Sequence, residues 1–296
     1  MTSTTSPLTQ PPDTGSVLGI DVGFSQNAKT TCFCLLTWDR SNISLNFQRA
    51  GTDIEDRKLA LTKVSISNHM DGVAIDGPLT HGLRLVPHYR SAEALLSRGA
   101  LQKRCKPGQT SAPIGQQLHR HATDLANLAL TFNISDATHF QPIHAKRIVE
   151  AFPNAFLAAL IPETDLPPLR RDASDRYWET SVLNTSRLEN LVKVLLPNRR
   201  LQFNLRNCTD HEHRAGVICA LTALIVVVGL HVGVGDPVDG DIILPSRNSW
   251  GISKTASSSW MEMELRSNVL KVRTSRGSNL NHRHARITLD LCQWIP

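Results

Sequence analysis

The residues that follow the polar N-terminus form three short apolar runs separated by polar turns. Residues 16–22, 30–38 and 42–50 each favour a β-strand, and the third alternates apolar and polar positions as a half-buried strand does. Three consecutive strands joined by short turns predict an antiparallel meander.

Beyond residue 70, short apolar strands alternate with helical patterns. Strands are predicted at Val73 to Ile75, at Ile148 to Val149 and within residues 235–245. Helical patterns occupy the intervals, as at residues 91–98, 114–132 and 175–196 and in the apolar segment after residue 210. This alternation is typical of an α/β domain.

The two ends of the chain differ in composition from its centre. Residues 1–15 are polar and proline-rich, lack the apolar core of a secretory signal and are predicted to be a disordered tail. Residues 246–296 are rich in Ser, Arg and Asn, and we expect a basic, loosely ordered appendage there. The α/β domain is therefore predicted to span residues 16–245.

One apolar stretch has the length of a membrane span. Residues 215–235 contain no acid, Lys or Arg. Glycines at positions 229, 233 and 235 interrupt the stretch, so we interpret it as a buried helix that runs into a short strand or loop. No membrane partner is expected.

Composition narrows the class of protein and of partner. The chain has 296 residues, of which 41% are hydrophobic and 20% charged, as in a globular protein with a sizeable core. Its formal net charge of +6 favours an anionic partner such as nucleic acid. The six cysteines form no CxxC pair and no disulfide-rich spacing, so we expect a reducing, cytoplasmic location.

Acidic residues stand where three of the predicted strands end. These residues are Asp21, Asp76 and Glu150, and Asp210 and Glu212 stand near the start of the long apolar helix. A single acid at a strand end is most often a turn or cap residue. Functional groups of open α/β sheets collect at strand ends, however, and clustered carboxylates repel one another unless cations lie between them.

Such a cluster suits hard divalent cations. Mg²⁺ binds oxygen ligands together with substrate phosphates, and two such ions promote hydrolysis of a phosphodiester by water. We therefore expect two Mg²⁺ or Mn²⁺ ions at a catalytic site formed by these five acids. Asp21 would bridge both ions, Asp76 and Glu150 would each bind one, and Asp210 or Glu212 would complete the second.

A second group of possible ligands precedes the long helix. Cys208, His211 and His213 with Asp210 imitate part of a zinc site, but no second ligand cluster has matching spacing. Capping or solvent contacts explain the two histidines equally well, and His211 is also a candidate proton relay.

Basic residues follow the second acid and are candidates for contacts with nucleic-acid phosphates. A solvated loop face is the alternative interpretation. The candidates are Arg84, Arg90, Arg98, Lys103 and Arg104.

Five short segments occur in a characteristic order between residues 17 and 245. They read GIDVG, AIDGPL, VEAFP, SDRYWE and HRAGVICALTA, and together they resemble the family of predicted ribonuclease-H-like nucleases (domain of unknown function 429). The resemblance implies a ribonuclease-H-like α/β fold, in which three antiparallel strands precede parallel strands interleaved with helices. It also implies Mg²⁺-dependent phosphodiester hydrolysis, with Asp21, Asp76 and Glu150 as the matching acids.

The chain departs from this pattern at the last acid. Related folds often place an Asp just before the small-residue helix, where this chain has His213, Arg214 and Ala215. Asp210 or Glu212 must then take that role from a position nearer the start of the helix.

Two other functions remain open from the sequence. An actin-like or sugar-kinase-like phosphotransferase that binds ATP also begins with a strand followed by Asp-x-Gly, but it needs a second domain, for which the chain offers only VGVGD. A nucleic-acid-binding module with a degenerate site would keep the fold and lose cleavage.

Overall fold

A nine-stranded mixed sheet forms the centre of the protein, with helices on both of its faces. The computed structural model describes residues 11–65, 69–80, 90–105, 107–137, 145–168, 173–236, 238–252, 256–274 and 286–287. The strands are β1 (Gly15–Asp21), β2 (Thr31–Trp38), β3 (Asn42–Ala50), β4 (His69–Met70), β5 (Gly72–Asp76), β6 (Asn133–Ile134), β7 (Ile148–Ala151), β8 (Arg200–Leu201), β9 (His231–Asp236), β10 (Gly240–Pro245) and β11 (Arg286–Ile287).

The helices are α1 (Ile54–Val64), α2 (Ser91–Leu96), α3 (Gly99–Arg104), α4 (Pro113–Ala129), α5 (Pro153–Ala159), α6 (Ala173–Trp178), α7 (Arg187–Leu195), α8 (His211–Val227) and α9 (Trp260–Thr274). A π-helical turn, Glu179–Leu183, continues α6. Short 3₁₀ turns occur at Glu163–Asp165, Leu205–Asn207 and Arg247–Ser249.

The order of strands in the large sheet is β11-β9-β10-β7-β5-β1-β2-β3-β8. β1, β2 and β3 form the predicted antiparallel meander. β5 pairs parallel with β1, β7 with β5, and β10 with β7. β9, which precedes β10 in the chain, pairs antiparallel with it. β4 and β6 form a separate two-stranded sheet. The predicted α/β architecture, a mixed sheet flanked by helices, is confirmed.

Different helices pack against the two faces of the sheet. α8 contacts β1, β2 and β5 on one face, whereas α1 and α4 contribute to the core on the other. The backbones of β1 and α8 touch, because a Cβ atom at Gly19 would lie 2.1 Å from the backbone nitrogen of Ala220. Residues 215–226 are all buried, so the apolar segment is a core helix. No helix within the described ranges has the length and apolar character needed to cross a membrane.

The C-terminal region contributes to the core, contrary to the prediction of a loosely ordered appendage. Trp250, Trp260 and Leu265 belong to the main apolar cluster. The indole of Trp260 donates a hydrogen bond to the carbonyl of Ile161, 2.9 Å away, and the amide of Asn268 donates one to Leu95 at the same distance. The domain therefore extends at least through α9, while residues 275–285 and 288–296 lie outside the described residues.

The predicted N-terminal tail is also partly incorporated. The carbonyl of Pro12 accepts hydrogen bonds from the indole of Trp38 and the guanidinium of Arg199, and β1 begins at Gly15. Residues 1–10 lie outside the described residues.

Candidate functional site

Asp21 and Asp76 stand side by side at the ends of adjacent parallel strands. The two residues are paired in the register of β1 and β5, so their side chains project from the same face of the sheet. Side chains alternate along a strand, and Asp21 therefore shares the face of Gly19, which contacts α8. Both carboxylates thus lie on the α8 face.

Arg49 lies in the same lateral row of paired residues across the sheet as Asp21 and Asp76. Asp21 is paired with Cys32, and Cys32 is paired with Arg49, so Arg49 projects toward the same face from β3. Its guanidinium contacts a carboxylate oxygen of Asp210 at 2.7 Å and one of Glu212 at 3.2 Å. The row consequently connects the two strand acids to the first turn of α8.

Asp210 and Glu212 make different contacts in that turn. Asp210 is the N-cap of α8, where Oδ1 accepts hydrogen bonds from the backbone nitrogens of Glu212 and His213 at 2.9 and 3.1 Å. Its other oxygen binds Arg49, so both oxygens of Asp210 are engaged. The carboxylate of Glu212 forms an ion pair with Arg49.

The strand acids are electrostatically unfavourable in their charged forms. Burial raises the pKa of Asp21 well above its ordinary value, and the charges of Asp76 and Glu212 add to that effect, while Arg49 opposes it. Burial, together with the charge of Glu150, raises the pKa of Asp76 to about 7. Carboxylates in this condition are stabilised by a proton or by a bound cation.

A cleft of about 90 Å³ opens beside Asp76, between α5, α6 and α8. Oδ1 of Asp175 accepts a hydrogen bond there from Arg214 at 2.9 Å and is 3.2 Å from Nδ1 of His211. Asn154 also lines the cleft, and no described residue donates a hydrogen bond to its buried Oδ1. The cleft therefore combines carboxylates, a guanidinium, an imidazole and an unsatisfied amide oxygen.

Sequence analysis did not select several of these residues. Asp175 and Arg214 occur within the SDRYWE and HRAGVICALTA segments, so the resemblance contained a signal for both. Nothing local to Arg49 or Asn154 distinguishes them from ordinary surface residues.

Glu150 makes contacts different from the expected ones. It is paired with Ile75, one residue before Asp76, so its side chain projects from the opposite face. Arg90 holds both of its oxygens, at 2.6 and 2.7 Å, and the backbone nitrogen of Leu79 donates a third hydrogen bond. Glu150 is thus a buried partner of Arg90 in this structure, and its role as a metal ligand stays a prediction.

The basic residues expected to contact nucleic acid also divide into groups. Arg90 is only 1% exposed and is engaged by Glu93 and Glu150, which contradicts a role in phosphate contact. Arg104 is half-buried and donates to the carbonyl of Pro167 at 2.5 Å. Arg98 and Lys103 are exposed, and their role stays a prediction. Arg84 lies outside the described residues.

The partial zinc pattern is dispersed in the fold. Cys208 is buried, the ring of His213 packs 4.7 Å from that of Phe47, and His211 faces Asp175. In the part of the chain that the structure describes, no three or more His, Cys, Asp and Glu side chains are grouped so that they could hold a metal ion. The five predicted acids thus do not converge on one point.

The raised pKa of Asp76 predicts a specific dependence of stability on pH. Because the folded pKa of about 7 exceeds the unfolded value, the folded state binds the proton more tightly, and stability is lost as pH rises from about 4 to about 7. Without divalent cations, we expect this loss to be on the order of 3 kcal/mol and to be smaller in Asp76→Asn. Urea unfolding at pH 4.5, 6 and 8 in EDTA would measure it, and equal pH slopes in both proteins would contradict the assignment.

Comparison of the chain with protein-family models, with curated proteins and with solved structures finds no match.

Proposed function

We propose that this protein is a ribonuclease-H-like nuclease that hydrolyses phosphodiester bonds with Mg²⁺ or Mn²⁺ at the carboxyl ends of β1 and β5. The observation that carries the proposal is the direct pairing of Asp21 with Asp76 beneath the acidic first turn of α8. An antiparallel meander of β1, β2 and β3 followed by the parallel strands β5 and β7 is the kind of arrangement that the resemblance implies.

The donor atoms at this site suit a hard cation. Mg²⁺ is usually held by one or two carboxylates, with water and substrate phosphate completing its coordination, so a pair of acids is a sufficient protein contribution. Asp21 and Asp76 supply that pair, and the unsatisfied Oδ1 of Asn154 is a further oxygen donor in the adjoining cleft. The lack of a three-acid group among the described residues is compatible with such a site.

Each residue has a separate task in the proposed reaction. Asp21 and Asp76 would hold the cations, whose chemistry when bound would be to activate water and to stabilise the leaving oxygen of the phosphodiester. Glu212 becomes a third acid when Arg49 moves onto substrate phosphate, whereas Asp210 continues to cap α8.

The cleft supplies groups for the substrate. Arg214 projects a guanidinium that can bind a phosphate oxygen, and its hydrogen bond to Asp175 fixes its orientation. The same carboxylate orients His211, which delivers a proton to the leaving oxygen.

One observation favours a non-catalytic nucleic-acid-binding module as the second candidate. Arg49 already neutralises Asp210 and Glu212, so these acids have a partner without any cation. The phosphotransferase alternative is less well supported, because the glycines of VGVGD lie in the buried strand β9 rather than in a phosphate-binding loop.

A cleavage assay separates these functions. Labelled single-stranded, duplex and hybrid DNA and RNA would be incubated with the protein and Mg²⁺, Mn²⁺ or EDTA. We expect products only with a divalent cation. Binding of any of these nucleic acids without cleavage under every condition would favour the non-catalytic module instead.

A further inference from the structure

The hairpin between β9 and β10 contains two buried carboxylates. Asp236 and Asp239 are 0% and 5% exposed. One oxygen of each is satisfied: Oδ1 of Asp236 accepts from the nitrogen of Val238 at 2.8 Å, and Oδ2 of Asp239 accepts from the nitrogen and hydroxyl of Ser91 at 2.9 and 3.2 Å. The other oxygen of each carboxylate is buried and has no hydrogen-bond partner among the described residues.

A third unsatisfied oxygen belongs to the segment that packs on this hairpin. Thr80 is only 1% exposed, and its hydroxyl has no hydrogen-bond partner in the part of the chain that the structure describes. Gly240, next to Asp239, has φ +93°, and a Cβ atom there would lie 3.0 Å from the carbonyl oxygen of Leu79 and 3.8 Å from Cα of Thr80. The glycine thus permits the close approach of the Thr80 segment to the two acids.

Among the described residues near Arg90, buried carboxylates outnumber buried cations. The guanidinium of Arg90 pairs with Glu93 and Glu150, its charge also acts on Asp239, and the charge of Asp236 acts on Asp239 in turn. Arg90 is already engaged by Glu93 and Glu150, so its charge is not available to neutralise both hairpin acids. Burial raises the pKa of Asp239 to about 7, and the neighbouring charge of Asp236 contributes to the shift. Buried charges and orphaned oxygens of this kind each cost several kcal/mol unless a counter-charge is present.

We infer that the β9–β10 hairpin binds a structural Ca²⁺ ion through Oδ2 of Asp236, Oδ1 of Asp239 and the hydroxyl of Thr80. Ca²⁺ accepts six to eight oxygen ligands in flexible geometry, whereas Mg²⁺ dehydrates reluctantly and fits poorly where its ligands are buried. Zinc is disfavoured because no nitrogen or sulfur ligand takes part. None of the three residues belongs to the proposed nuclease site.

Binding would be measured in a variant that lacks the nuclease acids, Asp21→Asn/Asp76→Asn, so that any cation response comes from elsewhere. After removal of metals with EDTA, equilibrium dialysis should show about one Ca²⁺ per chain. The midpoint temperature of thermal unfolding should rise by about 5 °C at a Ca²⁺ concentration about 100 times Kd, and Mg²⁺ should change it little.

Three further substitutions in that variant test the ligands. Asp236→Asn, Asp239→Asn and Thr80→Val should each weaken Ca²⁺ binding, and the two Asn variants should unfold at a higher temperature than their parent in EDTA, because a buried charge is removed. Asp136→Asn, an exposed acid paired with Lys146, is the matched control and should keep the full response.

The inference fails if dialysis of the parent variant detects no Ca²⁺, or if Ca²⁺ binds equally well after all three substitutions. Stabilisation by Mg²⁺ but not Ca²⁺ would also contradict it. Dialysis of the parent alone decides the matter if the substituted chains do not fold. These results are independent of nucleic-acid cleavage, which depends on Asp21 and Asp76.

Discussion

Asp21→Asn is expected to abolish cation-dependent cleavage and, at the same time, to make the protein more resistant to unfolding. Loss of an outer partner of a metal ligand costs about 10–100-fold in activity, so loss of the ligand itself should exceed about 100-fold. The amide has nearly the same shape as the carboxylate but removes a half-buried charge that acts on Asp76 and Glu212. We expect the free energy of unfolding to rise by about 1–2 kcal/mol at pH 8 in EDTA.

The matched control lies at the other end of β5. Oδ2 of Asp71 accepts a hydrogen bond from the backbone nitrogen of Ser16 at 2.8 Å, so Asp71→Asn weakens a favourable charge-assisted contact instead of removing a repulsive one. That variant should lose stability and retain cleavage, which is the opposite result on both measurements. Initial cleavage rates and urea unfolding would be measured for Asp21→Asn, Asp76→Asn and the control Asp71→Asn. Cleavage that persists in both Asp21→Asn and Asp76→Asn would disprove the nuclease proposal.

The sequence predicted the strand ends well because apolar runs, turn residues and helical periodicity are local signals. β1, β2 and β3 lie within about one residue of their predicted bounds, and Asp21 and Asp76 end their strands as expected. Local signals do not determine the register in which two strands pair. Asp76 is paired with Ala151, and Glu150 therefore falls one position short of the row and on the opposite face.

Long-range partners account for the other differences. Arg49 is far from Asp210 along the chain, and only the pairing of β3 with β2 brings it to the first turn of α8. The polar composition of residues 246–296 favours a loosely ordered region. In the structure, the buried Trp260 and Asn268 attach α9 through hydrogen bonds to the backbone of Ile161 and Leu95. A composition argument cannot detect such side-chain contacts.

The second large effect is on stability and concerns the buried ion pair between Arg90 and Glu150. Arg90→Met should destabilise the protein by about 3–5 kcal/mol, because it leaves Glu93 and Glu150 buried without their cation. Glu150→Gln should cost less, since the amide oxygen still accepts from Arg90 and Glu93 remains. The double variant should lose less than the sum of the two single variants, because the two residues interact directly. Urea unfolding of the four proteins measures this coupling.

Cleavage by Glu150→Gln then decides between the two roles of Glu150. A metal ligand cannot be replaced by Gln without a large loss of activity, whereas a partner of Arg90 can, provided that the protein still folds. We expect cleavage rates similar to those of the unmodified protein at a temperature where both are fully folded. The charge of Glu150 also contributes to the raised pKa of Asp76. Its removal should therefore shift the pH dependence of cleavage toward lower pH, because Asp76 ionises more readily. Loss of cleavage in a folded Glu150→Gln protein would return Glu150 to the metal site and require Arg90 to release it when a cation binds.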